Sequence, residues 1–78
     1  MSDDAIDEAI LLSTVNGRWT KVAIVISRVA NAMGKDLPEG DVGYERVARR
    51  IEFLVSEGRL VAAGNVKNWR FSEVRHPN

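Results

Sequence analysis

Apolar and polar positions recur along this chain with two different periods, and the change from one to the other divides it. From Asp3 to Val15, the residues Ala5, Ile6, Ala9, Ile10 and Leu12 return at helical spacing and predict a first helix. Ser2 or Asp3 is placed to accept hydrogen bonds from its first free amides. Asp3, Asp4, Asp7 and Glu8 suit the positive end of its dipole, and Asn16-Gly17 is a stop signal.

Arg18-Trp19-Thr20 is too short for a helix and reads as an extended connector, with Thr20 as N-cap of a second helix from about Lys21 to Met33. There Val22, Val25, Ile26, Val29 and Met33 form the inward stripe, while Lys21, Ser27, Arg28 and Asn31 face out. Gly34 marks its end, and Lys35 to Val42, with Pro38 and Gly40, reads as a loop. Asp41 is positioned to cap a third helix, from Val42 or Gly43 to Glu57, whose stripe is Tyr44, Val47, Ala48, Ile51, Leu54 and Val55, with Gly58 as its stop.

Beyond Gly58 the period falls to two. Leu60 to Ala63 and Trp69 to Val74 are β-prone runs separated by Gly64-Asn65-Val66-Lys67-Asn68, the pattern of a hairpin. Alternation sends Trp69 and Phe71 toward the core and Arg70 and Ser72 away from it. The tail His76-Pro77-Asn78 is expected to be disordered. The sum is a single α+β domain over residues 1–78, laid out as a winged helix: three helices followed by a β-hairpin wing. Arg18 to Thr20 would supply a short extra strand beside the hairpin, with Trp19 over the core. That strand is physically useful, because an isolated two-stranded hairpin is seldom stable.

Composition fits one small domain: 78 residues, 45% apolar and 28% charged. At this length a core is only just sufficient, so a partner or a dimer is unsurprising. The lack of cysteine excludes disulfides and thiolate metal sites and fits a reducing compartment. The start is acidic and the longest apolar runs, such as Val22 to Ile26, fall far short of a membrane span. The expectation is a cytoplasmic protein without membrane contact.

Nothing resembles an active site, and the chain reads as non-enzymatic. The single histidine, His76, lies at the extreme C-terminus, where no shell orients it. Ser13, Ser27, Ser56 and Ser72 have no base nearby in sequence, and Asp36, Glu39 and Asp41 lack the spacing of a calcium loop. No cofactor, metal or small-molecule ligand is indicated.

Charge leaves two binding readings open. The formal net charge is zero, yet residues 1–45 hold eight acidic and four basic side chains, and residues 46–78 hold three acidic and seven basic. Arg46 and Arg50 fall on the outer face of the third helix with Phe53 and Glu57, and Arg49 lies near one edge. In a winged helix these arginines would meet DNA bases or phosphates, with Lys67 and Arg70 of the wing on the backbone. Against this, Glu45, Glu52 and Glu57 offset the arginines, and Glu45 with Arg49 is an ordinary i,i+4 pair. The connection from Gly34 to Val42 is also longer than the turn of a DNA-reading helix-turn-helix. The other reading starts from Leu11, Ile24 and Phe53, each off the stripe of its own helix. Where such residues meet they make an apolar patch for a protein partner or a homodimer. Phe53 can alternatively pack beneath the hairpin.

The run Arg50-Ile51-Glu52-Phe53-Leu54-Val55-Ser56-Glu57-Gly58-Arg59-Leu60, followed by Gly64, Trp69-Arg70 and Ser72-Glu73-Val74-Arg75, resembles an uncharacterised bacterial family of domains of unknown function. That family's pattern is an Arg-Ile in the third helix, a Leu, a Gly-Lys/Arg-Leu entry to the hairpin, and a closing Glu-Val-Arg. The likeness covers about residues 43 to 76. It implies a winged-helix-like fold, often C-terminal to another uncharacterised domain, and supplies no activity. Within the matched segment Glu73 and Arg75 are expected to fix the hairpin on the third helix by pairing with Arg50 or Arg59.

Overall fold

The structure is a computed structural model and describes residues 3–77. Ser2 as a cap and Asn78 as tail therefore lie outside the described residues. The first helix, α1 (Asp3–Ser13), leads to a two-residue strand β1 (Thr20–Lys21) and directly into α2 (Val22–Met33). A 3-10 turn (Gly34–Asp36) precedes α3 (Asp41–Ser56), and strands β2 (Val61–Ala63) and β3 (Glu73–Arg75) close the chain. The fold is α+β: three helices and a small three-stranded antiparallel sheet in the order β1-β3-β2.

The connector between the first two helices does join the sheet, pairing Thr20 with Val74, while Ala62 pairs with Val74 from the other side. Val74 is fully buried, so the Thr20–Val74–Ala62 row faces the helices. The neighbouring residues Lys21, Glu73 and Arg75 then lie on the outer face. The core fills the space between this row and the helices. Ile6 and Ile10 come from α1, Val22, Val25, Ile26 and Val29 from α2, and Val47, Ala48, Ile51 and Leu54 from α3, with Leu37 and Leu60 sealing the ends. Full burial of each large aliphatic contributes about 1.5–3 kcal/mol. The stripes read for α2 and α3 are thus the packed ones, except that Met33 and Val55 are only half-buried and Tyr44 stands at the rim, 40% exposed.

Several expectations are corrected. On α1, Leu12 is 64% exposed and Leu11 packs against the core instead. At about 100° per residue Leu12 lies roughly 240° from Ile6, on the far side of the helix from Ile10. The inner face of α1 carries Asp7, and beyond the helix end Thr14 is buried with its hydroxyl donating to the carbonyls of Ile10 and Leu11.

Neither α2 nor α3 uses the expected side-chain cap. The first amides of α2 are taken by carbonyls from the far end of the chain: Val22 donates to Ser72 at 3.0 Å and Ala23 to Trp69 at 3.3 Å. Thr20 is committed to the sheet, its hydroxyl bonded to the Arg18 carbonyl. At α3 the cap position is Gly40 at φ 71°, and Asp41 is already the first helical residue. Its charge still favours the helix N-terminus.

The second hairpin strand begins at Glu73 rather than Trp69. Asn68 N–H bonds to Asn65 and Phe71 N–H to Asn68, so consecutive turns replace the alternation. Phe71 therefore points out at 80% exposure, while Ser72 is fully buried with its hydroxyl on the Asn68 carbonyl at 2.8 Å. Trp69 packs partly buried against the core, as expected.

Trp19 does not lie over the core. It is 43% exposed, and the Arg75 guanidinium stacks on its ring at 4.9 Å, on the outer face of the sheet. Among the described residues Glu73 forms no ion pair with Arg50 or Arg59.

Candidate binding surface on the third helix

One side of α3 is buried and the other carries its charged residues. Successive residues turn by about 100°, so Val47, Ile51 and Leu54 face the core while Val42, Glu45, Arg49 and Phe53 form a line along the outside. Val42 is 68% exposed and Phe53 42%. Arg46 and Arg50 flank this line on the side nearest α1.

Those two arginines are engaged within the molecule. Arg50 donates from Nε to Oδ1 of Asp7 at 2.8 Å and from Nη2 to Oδ2 at 2.7 Å, a fork that matches both carboxylate oxygens. Asp3, one turn earlier on α1, reaches Arg50 at 3.6 Å and Arg46 at 3.5 Å. The Arg50 guanidinium also lies over the Phe53 ring, 4.3 Å from its centre. The hydrogen bonds that Arg50 donates to Asp7 hold it above its ordinary pKa, against a smaller desolvation effect, and like any arginine it stays a cation under working conditions.

The remaining candidate cations, Arg49, Lys67 and Arg70, are exposed. Among the described residues no ion pair joins Glu45 to Arg49. Lys67 and Arg70 belong to the 64–72 segment, which is folded against α2 through the Trp69 carbonyl rather than extended as a free ribbon. Of the apolar candidates, Leu11 is occupied by core packing, Phe53 is paired with Arg50, and Ile24 stands 44% exposed on α2.

Two shallow depressions adjoin α3. One, of about 580 Å³, lies where the start of α1 meets the start of α3 and is lined by Asp3, Pro38, Val42, Glu45, Arg46, Arg49 and Arg50. The other, of about 240 Å³, lies between α2, Tyr44 and Trp69. Among the described residues no group of three or more His, Cys, Asp or Glu side chains is arranged to hold a metal ion. No helix is long and apolar enough to cross a membrane.

Asp3 and Asp7, expected only to suit the dipole of α1, are the acids that hold Arg46 and Arg50. The available signal was Asp7 itself, an acid on the same helix face as Ile6 and Ile10, since a carboxylate on an apolar face needs a partner. No family model matches this chain, and neither a curated protein nor a solved structure matches it.

Proposed function

We propose that this chain is a non-catalytic, winged-helix-like domain of the cytoplasm that binds another protein through the outer face of α3. The winged-helix reading is supported by the order of three helices and a hairpin, with the connector strand added beside β3. The resemblance carried by the segment from Arg50 to Arg75 points the same way.

The observation that carries the protein-binding reading is the fork between Arg50 and Asp7. A DNA-reading helix presents its arginines to phosphates and base edges. Here a tethered carboxylate holds Arg50, Asp3 lies beside Arg46, and the chain as a whole has no net charge to attract a polyanion. What the outer line of α3 offers is a mixed surface, with Val42 and Phe53 at its ends and the oppositely charged Glu45 and Arg49 between them, which suits a protein contact better than a polyanion.

A photo-crosslinking residue placed at Val42 or at Phe53 in cells tests the reading, with Asn31 on the outer face of α2 as the reference position. Discrete, protease-sensitive adducts confined to the α3 positions are expected. Adducts removed by nuclease, or salt-sensitive binding of a mixed-sequence duplex with amide shifts at Arg49, would sink it. Nucleic-acid binding is the second reading, favoured by the exposure of Arg49, Lys67 and Arg70.

A further inference from the structure

We infer that this chain forms a weak two-fold dimer in which Phe71 of each copy enters the cleft between α2, Tyr44 and Trp69 of the other. Phe71 is the most exposed large apolar side chain among the described residues. Its backbone is nonetheless firmly held. Its N–H donates to the Asn68 carbonyl at 3.1 Å, and the next residue, Ser72, is fully buried. The Phe71 carbonyl lies against Gly64, where a Cβ would come within 3.0 Å of it. An ordered turn thus presents the ring, and little chain freedom is left to lose on contact.

The cleft has the size and character for one such ring. It is lined by Ala23, Ile26, Ser27, Tyr44 and Trp69 and measures about 240 Å³. An apolar cavity of about 150 Å³ already accepts benzene, whereas pockets for larger ligands begin at about 300 Å³. One aromatic side chain is therefore the occupant that matches.

That side chain comes from a second copy, because knob and cleft sit at the same end of one molecule. The carbonyls of Ser72 and Trp69 accept from the amides of Val22 and Ala23, so the 69–72 turn lies across the start of α2, beside the cleft. A knob and a cleft this close engage reciprocally about a single two-fold axis, and the assembly closes at two copies. Charge agrees with this. Lys67 and Arg70 flank the ring in sequence, and Asp41 lies one turn before Tyr44 on the same side of α3. All three are exposed and form no ion pair among the described residues, so docking brings unpaired cations to an unpaired acid. The surface is small, which makes the dimer weak and leaves the monomer dominant in dilute solution. It also leaves the outer line of α3 free, since Tyr44 is about 160° around the helix from Val42.

The experiment is sedimentation equilibrium of the full chain from about 20 µM to about 1 mM, with amide spectra over the same range. Isotope-filtered NOEs are measured on a mixture of labelled and unlabelled chains. A monomer–dimer equilibrium with a dissociation constant on the order of 100 µM to 1 mM is expected. Amide shifts should fall at Ala23, Ser27, Tyr44 and Phe71, with intermolecular NOEs from the Phe71 ring to Tyr44. Phe71→Ser should weaken association more than about tenfold, because both copies lose the ring. Ser27→Arg, which blocks the cleft from an exposed helical position, should cause a comparable loss, and Leu12→Gln should cause none. Circular dichroism checks that the variants fold, and the NOEs are read on the unaltered chain whatever the variants do. A strict monomer at about 1 mM, or association that survives Phe71→Ser, would overturn the dimer. So would shifts centred on α1 or on Val42 and Arg49, or oligomers that keep growing with concentration. Cross-linking at Val42 and Phe53 reads the α3 partner separately, so the two inferences fail independently.

Discussion

Arg50 and Asp7, 43 positions apart in the chain, form a two-pronged ion pair that fastens α3 to α1. Their side chains are 22% and 10% exposed, so the pair is largely removed from water. Truncating one member of such a pair leaves the other charged and poorly solvated, at a cost of about 3–5 kcal/mol when fully buried. Partial exposure of Arg50 reduces this. Arg50→Ala and Asp7→Ala should each lower unfolding free energy by about 2–3 kcal/mol, and the double variant should lose much less than their sum. Arg46→Ala, beside the exposed Asp3, should cost no more than about 1 kcal/mol. Urea denaturation of the parent and the four variants checks all of this, and additivity of Arg50→Ala with Asp7→Ala would show the pair to be unimportant.

The same contact sets a pH expectation. Arg50 has its pKa raised on folding, chiefly by hydrogen bonding to Asp7, so its stabilisation is complete below the unfolded value and is lost only as pH rises through the folded one. That window lies above the ordinary arginine pKa, outside working conditions. The stability difference between the protein and Arg50→Gln should therefore stay constant from about pH 6 to about pH 10. A decline of that difference toward the alkaline end would contradict a permanently charged Arg50.

Gly43 is a buried glycine inside α3, where alanine would ordinarily gain about 1 kcal/mol of helix propensity. A Cβ there would run into the Pro38 carbonyl, so the loop before α3 can pack this closely only against glycine. Gly43→Ala should destabilise by about 1–3 kcal/mol despite the propensity gain, as overpacking does. A thermal melt at or above that of the parent would mean the loop moves aside without cost.

The 64–72 segment predicts three unequal effects. Phe71→Ser should change stability by less than about 0.5 kcal/mol, because the ring is in water. Trp69→Ala should cost about 2 kcal/mol or more, since that ring packs on the core. Ser72→Ala removes a buried hydrogen bond to Asn68 and should cost about 1 kcal/mol. Equal losses at Phe71 and Trp69 would restore the alternating strand that the turns replace.

On α1, the neighbours Leu11 and Leu12 part company. Leu11→Ala should cost about 1–2 kcal/mol for a partly buried leucine, while Leu12→Gln should fall within about 0.5 kcal/mol of the parent. Reversal of the two would return Leu12 to the core.

Three helices and the first hairpin strand were legible in the sequence because each follows from local periodicity, and the connector strand because it is too short for a helix and a lone hairpin is seldom stable; of the second hairpin strand only Glu73 and Val74 coincide with the expected run. The inward stripes of α2 and α3 were legible too, since their apolar residues fill one narrow arc of the helix. On α1 the apolar residues spread around the helix, so spacing alone ranked Leu12 above Leu11. The arginines of α3 were legible as a basic cluster on an outer face, and their engagement was not.

The sequence by itself therefore determined the order and type of the elements and which face of the longer helices is apolar, because these depend on residues a few positions apart. Only the tertiary structure decided what each polar group meets. The carbonyls of Trp69 and Ser72 cap α2 in place of Thr20, and Asp3 and Asp7 occupy the arginines that a DNA-reading helix would present. These are pairings between distant parts of the chain, set by how the helices and sheet pack. Hydrogen bonds and ion pairs act over a few ångströms in space, so local spacing can show that a group such as Asp7 needs a partner but not which partner it meets.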